Sequence, residues 1–321
     1  MKEFYSYEKQ IEKLHDEKGL IIEDENQTIE ALKFEGYYNI INGYSKIFKD
    51  KTTKAFYKST TFNHIRQLYL FDKKLRAIVY NYTTSIENHI KALIAHEFSK
   101  VHGVDEKTYL KISCFNTNEK NIDNVNRLIE ECNQTIKDAL NVNSNKYRKY
   151  IAHNFETHNH VPLWVLIRAL SFGTTSIFYK NMHLAEQSII ASYFKLTSPQ
   201  LANFLEVVVS FRNIVAHSER TFCARLPKTR LTTKLDIVSK LNIPQNQNNS
   251  NKFGRNDLLS LIICFKYLLS PMEFGEFFLE FSLILDNLGR NIQPIVFDKV
   301  KIEMGLFNNS WKNLVKLKIK E

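Results

Sequence analysis

Three polar residues with complementary chemistry lie within the stretch SFRNIVAHSERTF, which runs from Ser210 to Phe222: Arg212, Asn213 and His217. Histidine titrates near neutral pH and serves as a general acid or base, whereas arginine stays protonated and presents a planar fork to phosphate oxygens. The amide of Asn213 can orient the histidine or donate to a phosphate. These residue types suit RNA cleavage, in which the 2′-hydroxyl is the nucleophile and the protein supplies an acid, a base and a cation.

The spacing of arginine and histidine identifies a site only together with its surroundings. Eleven arginines and ten histidines predict about one such pair by chance, and a second pair, Arg148 and His153, does occur in RKYIAH. The predicted helix around the first pair has an apolar stripe at three- and four-residue steps: Leu201, Phe204, Val208, Phe211 and Val215. Asn213 and His217 point almost opposite this stripe, and Arg212 lies on its flank. The second pair lies beside a polar loop without such a register, so the first pair is the better candidate. A purely structural role also fits it, because a histidine in the last turn favours the helix dipole and an arginine on the flank commonly extends its charge to solvent.

The elements that position these residues are predicted to be helices. The 321 residues include only 9 Gly and 6 Pro and show no strong period-two alternation, which argues against a sandwich or barrel. Apolar residues seven apart predict one long helix over residues 62–100. A capping hydroxyl at Ser198, followed by Pro199, predicts the start of the helix that contains Arg212 and His217. The chain is therefore predicted to be all-α.

The rest of the chain divides into further helices and polar connections. Three more helical segments are predicted: residues 125–140, a buried helix over 161–173 that begins at Pro162 and ends near Gly173, and a last helical region over 257–286. Residues 115–124 predict a polar loop, and 243–256 form the most linker-like segment. The histidines His153, His158 and His160 lack nearby cysteines or paired carboxylates, so we interpret them as loop residues and not as a metal site.

Composition narrows the expected partners and compartment. The formal net charge is +10, and there are 23 Phe and 15 Tyr. A basic surface attracts polyanions, and exposed aromatic rings stack on unpaired bases, although most Phe are expected in the core. The four cysteines form no CxxC pair, so neither a zinc knuckle nor a disulfide framework is indicated. The charged start resembles no secretion signal, and the most apolar stretch, LLSLIICF, is too short to span a membrane. We expect a cytoplasmic protein without membrane, metal or cofactor.

Three further groups of residues are candidates for a supporting role. Glu87 and Lys91 are four residues apart in the order that favours a helix ion pair, which is their simplest interpretation. Tyr44 ends GYYNIINGY (36–44), which suits a packed turn beside the core or base stacking. A basic run after the first motif either guides an RNA backbone or forms a solvated loop: Arg220, Arg225, Lys228, Arg230 and Lys234.

Several blocks of the chain resemble a known family. The helix around Arg212 and His217 resembles the motif of the HEPN superfamily, in which arginine, a polar residue and histidine cleave RNA without metal. Four blocks resemble, in order, the Abi-like proteins of bacterial abortive infection (the AbiD and AbiF type): LKFEGYYNIINGY (32–44), FDKKLRAIVYNYTTSIENHIKALIAHEF (71–98), VPLWVLIRALSFGTTSIFY (161–179) and MGLFNNSW (304–311). Glu87 stands at the group's glutamate position. Lys91 stands where arginine is common, and Arg168 where an acidic residue is usual.

This resemblance implies a fold, an activity and catalytic residues. The expected fold is a HEPN-type helical bundle with additional N- and C-terminal helices. We assign residues 1–60 to an N-terminal Abi-like region, 61–240 to the helical core with the motif, and 241–321 to a linker and C-terminal helical region. The expected activity is that of a metal-independent endoribonuclease that acts as a toxin in phage defence. Its catalytic residues would be Arg212 and His217, with Asn213 as the polar residue.

The same interpretation predicts partners and leaves alternatives open. Because one motif offers one histidine for two proton transfers, a homodimer that brings two copies together is expected. RNA is the expected substrate, and an inhibitory RNA or another antitoxin is a further expected partner. Two other functions fit the sequence: a non-catalytic RNA-binding protein and a regulatory protein–protein module.

Overall fold

The computed structural model describes residues 3–117, 121–232, 235–248 and 250–319. Within these ranges the regular elements are helices, and extended segments pair only through isolated bridges, for example between Ile21 and Thr61. The predicted all-α fold is therefore confirmed.

Short helical elements precede the long helix. They are α1 (Tyr7–Glu12), a π-helical turn (Lys13–Glu17), α2 (Glu25–Glu35), a second π-helical turn (Tyr38–Asn42) and a 3₁₀ turn (Ser45–Phe48). Asp24 caps α2 by accepting a hydrogen bond from the Gln27 amide at 3.0 Å. α2 ends at Gly36, whose φ of 80° is rarely adopted by other residues. The chain then turns into GYYNIINGY, whose last residue, Tyr44, lies in the core.

The predicted long helix is confirmed as α3 (Phe62–His102), and it forms the spine of the molecule. Its 41 residues span roughly 60 Å at about 1.5 Å per residue. A capping box between Thr61 and His64 begins the helix, and Gly103 ends it. Its buried face packs against helices from the central and C-terminal parts of the chain, so α3 determines where those helices lie.

The central part of the chain contributes seven helices among the described residues. They are α4 (Glu106–Tyr109), α5 (Ile122–Leu140), α6 (Lys149–His158), α7 (Leu163–Leu166), α8 (Phe172–Asn181), α9 (Leu184–Ser192) and α10 (Ser198–Ala216). The predicted helix over 125–140 is confirmed as α5, and residues 118–120 of the predicted loop lie outside the described residues. α10 packs against α3, α8 and α9, and eight of its 19 residues are buried.

The C-terminal part packs back onto α3 and α10. It consists of α11 (Asp236–Ser239), α12 (Leu258–Leu268), α13 (Pro271–Asn291), α14 (Pro294–Glu303) and a 3₁₀ turn (Asn309–Val315). α13 runs along α3, where Ser85 Oγ donates to Glu273 at 2.6 Å and Tyr82 Oη donates to Glu280 at 3.0 Å. α12 is almost entirely buried and contacts α10. A hydrophobic core thus extends from the N-terminal to the C-terminal helices.

Two predicted helix boundaries are wrong because a serine starts a new helix. The helix predicted over 161–173 divides where Ser171 accepts a hydrogen bond from the Thr174 amide at 3.0 Å, so Gly173 lies inside the first turn of α8. The region predicted over 257–286 also divides, because Ser270 caps α13 and Pro271 cannot continue α12. It is not the last helical region either, since α14 follows it.

Candidate active site

α10 carries the predicted catalytic residues, and a capping box fixes its first turn. Thr197 Oγ1 accepts a hydrogen bond from the Gln200 amide at 3.4 Å, and Gln200 Oε1 accepts one from the Thr197 amide at 2.9 Å. The N-cap is therefore Thr197 and not the predicted Ser198, while Pro199 does lie in the first turn. Side-chain chemistry explains the difference, because Thr197 has a glutamine three residues later whereas Ser198 has a leucine.

The buried and exposed faces of α10 lie where the apolar spacing predicts them. Its core stripe is buried: Leu201, Phe204, Val208, Phe211 and Val215. Asn213 and His217 are exposed and lie about one turn apart, so they share the solvent-facing side. The predicted orientation of these two residues is confirmed, and their catalytic role stays a prediction.

His217 lies at the point where α10 ends in a sharp turn. It is the C-cap residue, and Ser218 after it adopts a left-handed conformation with a φ of 57°. The Ser218 amide donates to the Val215 carbonyl at 3.1 Å, and the Glu219 amide donates to the Ile214 carbonyl at 3.0 Å. This pair of hydrogen bonds is a Schellman motif, which satisfies the last carbonyls of a helix. The backbone at His217 is thereby fixed, while its imidazole faces solvent.

Arg212 reaches from the flank of α10 toward α3. Its Nε lies 3.5 Å from Oε2 of Glu87 and has no hydrogen-bond partner among the described residues. The two groups therefore form a long ion pair without a direct hydrogen bond. The arginine side chain is 31% exposed, which leaves part of the guanidinium group accessible to a ligand.

Glu87 connects Arg212 to Lys91 and to the turn before α8. Lys91 Nζ donates to Glu87 Oε1 at 2.7 Å, and the same Nζ donates to the Leu170 carbonyl at 2.7 Å. The predicted ion pair between Glu87 and Lys91 is confirmed, but both residues are buried, unlike an ordinary surface pair. Since the loss of one partner would leave an uncompensated buried charge, this group holds α3, α10 and the start of α8 together.

A second buried carboxylate, Asp72 on α3, holds the chain segment that follows α10. It accepts hydrogen bonds from the amides of Thr221 and Phe222, at 3.2 and 2.8 Å. Tyr44 Oη donates to it at 2.7 Å, and Arg76 Nη1 donates to it at 2.8 Å. Burial raises the pKa of Asp72, while the hydrogen bond from Tyr44 and the charge of Arg76 oppose that shift. Asp72 thus joins GYYNIINGY to the segment after the motif.

Asp72 was not among the predicted site residues, although the sequence carries a signal for it. It lies in the apolar register of α3, four residues after Leu68 and three before Leu75. A carboxylate at a core position of a helix needs buried partners. The predicted supporting residues therefore fall into two groups: Tyr44 lies with Asp72, and Glu87 and Lys91 lie with Arg212.

A cleft of about 810 Å³ opens beside the end of α10. Its walls come from GYYNIINGY, from α3 and from the turn after His217. Of the predicted RNA-binding residues, Arg220 lines this cleft, and its Nη1 donates to the Gly43 carbonyl at 2.7 Å. Cys223 also lines it, but burial raises the pKa of this thiol, so it is not an activated nucleophile.

The rest of the basic run is arranged differently. Arg225 pairs with Glu303: its Nη1 donates to the Glu303 carbonyl at 2.5 Å, and its Nη2 lies 3.4 Å from the carboxylate. Lys228 and Arg230 are exposed. Lys234 lies outside the described residues. RNA binding by this run stays a prediction.

The second arginine–histidine pair differs from the first in its setting. Arg148 precedes α6 as its N-cap and donates to the preceding carbonyl at 3.1 Å, while His153 is exposed on the helix. The predicted loop is wrong for His153 and His158, because Ile151 and Phe155, four residues apart, pack this segment against the core as a helix. Within the described ranges no group of three or more His, Cys, Asp or Glu could hold a metal ion.

One comparison with known proteins matches the part of the chain that contains the candidate site. A family model described as Abi-like protein matches residues 30–223, a range that contains GYYNIINGY, α3 and α10. No curated protein and no solved structure matches the chain. None of the described helices has the length and apolar character needed to cross a membrane.

Proposed function

The chain belongs to the Abi-like protein family, and from this premise we propose that it is a metal-independent endoribonuclease of the HEPN type that acts as a toxin in phage defence. The family assignment indicates a part in abortive infection. RNA cleavage is the finer claim. The observation that carries it is the group at the end of α10, where Asn213 and His217 face solvent and Arg212 remains partly accessible.

The proposed reaction uses the nucleophile that RNA itself contains. The 2′-oxygen attacks the adjacent phosphorus while a neutral imidazole removes its proton, and the bond from phosphorus to the 5′-oxygen of the next nucleotide breaks. A protonated imidazole gives its proton to that leaving oxygen. The products are a 2′,3′-cyclic phosphate and a 5′-hydroxyl. Arg212 stabilises the negative charge that develops on the phosphorus oxygens, and Asn213 orients the imidazole or donates to the phosphate.

Glu87 and Lys91 act in this proposal as positioning residues. The long ion pair with Glu87 restricts Arg212 without occupying it through a hydrogen bond. Lys91 and the Leu170 carbonyl in turn restrict Glu87. A phosphate that enters the site therefore meets an arginine that is already oriented, which lowers the entropic cost of binding it.

The proposal also requires two copies of the chain. Each motif contains one histidine, whereas the reaction needs an acid and a base at the same time. A two-fold contact brings the same surface of both copies together, so two exposed His217 side chains can serve one phosphate.

Single substitutions at the end of α10 test the catalytic role. Arg212→Ala and His217→Ala are each expected to reduce RNA cleavage by about 10² to 10⁴-fold, because a cation or a proton carrier is lost. Cleavage by the unaltered protein should persist in EDTA and leave cyclic phosphate ends, measured by gel and end analysis. Arg148→Ala and His153→Ala are the matched controls at the same spacing and should retain near-normal cleavage. Full activity in His217→Ala, or a strict requirement for Mg²⁺, contradicts the proposal.

Expression in cells tests the toxin role separately. Induction of the unaltered chain should arrest growth, and induction of His217→Ala at the same protein level should not. Arrest by both proteins would separate toxicity from the proposed chemistry.

A non-catalytic RNA-binding protein is the second candidate function. The cationic surroundings of Arg220 favour it, since a charged groove binds RNA whether or not cleavage follows. Retarded but intact RNA, with the unaltered protein as with His217→Ala, would support this candidate over the nuclease.

A further inference from the structure

The cleft beside α10 continues into a second cleft, and together they make one groove. The second cleft has a volume of about 590 Å³ and extends from the same turn toward the segment 46–54 and α14. Both clefts share Gly43, Tyr44, Arg220 and Cys223 as lining residues. We call this combined surface the basic groove. Arg220 lines both clefts and is held by its hydrogen bond to the Gly43 carbonyl.

The charge of the basic groove favours a polyanion. Lysine or arginine occupies eight of its lining positions, whereas carboxylates occupy three: Asp50, Glu219 and Glu303. Lys46 and Lys51 are exposed, and neither forms an ion pair with a described carboxylate. Burial and the nearby charge of Lys18 lower the pKa of Lys49. An excess of like charge along one surface is unfavourable, and bound phosphates reduce it.

Aromatic rings distinguish this groove from a simple patch of charge. Tyr38 is 74% exposed and Tyr80 is 46% exposed, and both line the end of the groove nearest α3. Tyr44, which also lines the groove, is buried, with an edge contact to Tyr69 at 5.6 Å and a stacked contact to Phe222 at 5.9 Å between ring centroids. These contacts hold Tyr44 in place, and the two exposed rings offer flat faces to a ligand.

Amide groups add hydrogen-bonding capacity next to these rings. Asn39 and Asn42 line the same end of the groove, and Asn42 is exposed. Asn39 Nδ2 donates to the Glu35 carbonyl at 2.9 Å, which leaves its side-chain oxygen as an acceptor. Side-chain amides can donate hydrogen bonds to the edges of nucleobases and accept hydrogen bonds from them. Most of these edges are accessible in single-stranded RNA and inaccessible in a duplex.

We propose that the basic groove binds single-stranded RNA, with Tyr38 and Tyr80 stacking on unpaired bases and with Arg220 and the lysines contacting phosphates. The claim that the bound strand is the strand being cleaved rests on the proposed function. Stacking on tyrosine requires unpaired bases, and the lining cations favour a ligand with a phosphate backbone. The groove reaches the turn Ser218–Arg220 directly after His217, so a bound strand passes close to the candidate active site.

Binding measurements on the stacking residues test the proposal. Fluorescence anisotropy with a labelled 12-nucleotide single-stranded RNA is done in the His217→Ala background, which keeps the strand intact. Tyr38→Ala and Tyr80→Ala are each expected to weaken binding by about five- to a hundredfold, as the loss of one stacked base implies. Tyr38→Phe and Tyr80→Phe keep the ring and should bind like the parent. A blunt RNA duplex should bind much more weakly. Unchanged binding in both alanine variants, or equal binding of the duplex, overturns the proposal.

Salt dependence tests the contribution of the lysines. The double variant Lys46→Ala with Lys51→Ala should reduce the slope of log affinity against log salt by about 1.4, since each phosphate contact to a single strand contributes about 0.7. Lys107 lies in α4 and Lys111 just after it, and both are exposed. This short helix follows the far end of α3, roughly 40 Å along that helix from Arg76. Their double alanine variant is the matched control and should leave the slope unchanged. Equal losses in both pairs would mean diffuse attraction to the whole surface and would overturn the assignment to this groove.

Cleavage kinetics distinguish failure of this inference from failure of the proposed function. With His217 intact, the tyrosine variants should raise KM for a single-stranded RNA about as much as they weaken binding, with kcat nearly unchanged. If the unaltered protein cleaves no RNA, the proposed function fails while the anisotropy experiment still decides the groove. If cleavage depends on His217 but the substitutions at Tyr38 and Tyr80 leave KM unchanged, the proposed nuclease activity is supported and substrate binding by the groove is contradicted.

Discussion

Two buried carboxylates on α3 determine the geometry around the motif at the scale of single residues. Glu87 restrains Arg212, and Asp72 anchors the two amides just beyond the turn after α10. They are fifteen residues, about four helical turns, apart on one rigid helix. α3 therefore positions both the cation of the site and the segment that ends its helix.

Substitution of Asp72 tests this anchoring role. Asp72→Asn keeps the size of the side chain but replaces one acceptor oxygen by an amide donor that faces other donors, including Tyr44 and Arg76. We expect the free energy of unfolding to fall by about 3–5 kcal/mol, as for a broken buried ion pair, and cleavage to fall with it. Tyr44→Phe removes one hydrogen bond to the carboxylate and should cost about 1.5–3 kcal/mol. Urea unfolding gives both values, and an Asp72→Asn protein as stable as the parent would contradict the role.

Periodicity predicted the residues that face solvent better than the residues that make long-range contacts. Asn213 and His217 lie opposite the buried stripe of α10 as expected, because helix geometry alone relates them to it. The partners of Asp72 at Thr221 and Phe222 lie about 150 residues away along the chain, and no helical spacing encodes such a contact. The carboxylate at a core position of α3 indicates that Asp72 has buried partners, but it does not indicate which residues they are.

At the scale of elements, capping chemistry decides where the helices begin. Thr197 and Ser270 each have a glutamine or glutamate three residues later, and both start helices with a capping box. Apolar periodicity does not reveal a boundary where a single capping serine interrupts it, as at Ser171, whose side chain accepts a hydrogen bond from the Thr174 amide. The existence of the long helices was predictable because apolar spacing repeats over many turns, whereas each boundary depends on one or two side chains.

The contact between α13 and α3 should depend on pH. The hydrogen bond from Ser85 lowers the pKa of Glu273 below its ordinary value of 4.5, with Ser270 adding to the shift. A lowered carboxylate pKa contributes stability that is present above that value and is lost as the pH falls through the folded pKa. Glu273→Gln should therefore lower the free energy of unfolding by about 0.5–1 kcal/mol at pH 7, with the difference shrinking below pH 4.5.

An exposed neighbour supplies the control for this pH dependence. Glu276→Gln changes the same charge on the next turn of α13, at an exposed position. It should alter stability by less, with no comparable loss of the difference on acidification. Unfolding in urea at several pH values measures both variants. A difference for Glu273→Gln that stays constant from pH 7 to pH 3 would show that the contact with Ser85 does not stabilise the fold.

At the scale of the whole molecule, the site is built from parts that lie far apart in the sequence. GYYNIINGY, α3, the turn before α8 and the end of α10 meet around Asp72 and Glu87. The sequence predicts each of these parts but not their assembly, since the choice of neighbouring helices depends on the packing of whole faces. The proposed reaction also requires a residue from a second chain, because a single motif contains only one histidine to transfer protons.

The active unit is therefore expected to be a homodimer in which two copies of His217 serve one phosphate. Light scattering should report a mass about twice 37.7 kDa at concentrations where the protein cleaves RNA. A protein that is fully active as a monomer would contradict the expectation. It would also require the missing acid or base to come from the same chain, and His153 would be the first residue to substitute.

Mixed dimers test whether both histidines are needed. A dimer of one unaltered chain and one His217→Ala chain retains a single imidazole, so it should be inactive if acid and base are both His217. When chains exchange freely, a threefold excess of His217→Ala should reduce cleavage by the unaltered chains to about one quarter, the share that still pairs with itself. For the same reason, mixing Arg212→Ala with His217→Ala should restore no activity. The mixed dimer contains only one His217, and each dimer of like chains lacks either Arg212 or His217. A threefold excess of an unrelated protein of similar charge controls for competition for RNA. Cleavage that is indifferent to added His217→Ala, or activity regained in the mixture of the two inactive variants, would mean that one His217 is sufficient and that the second proton carrier lies elsewhere.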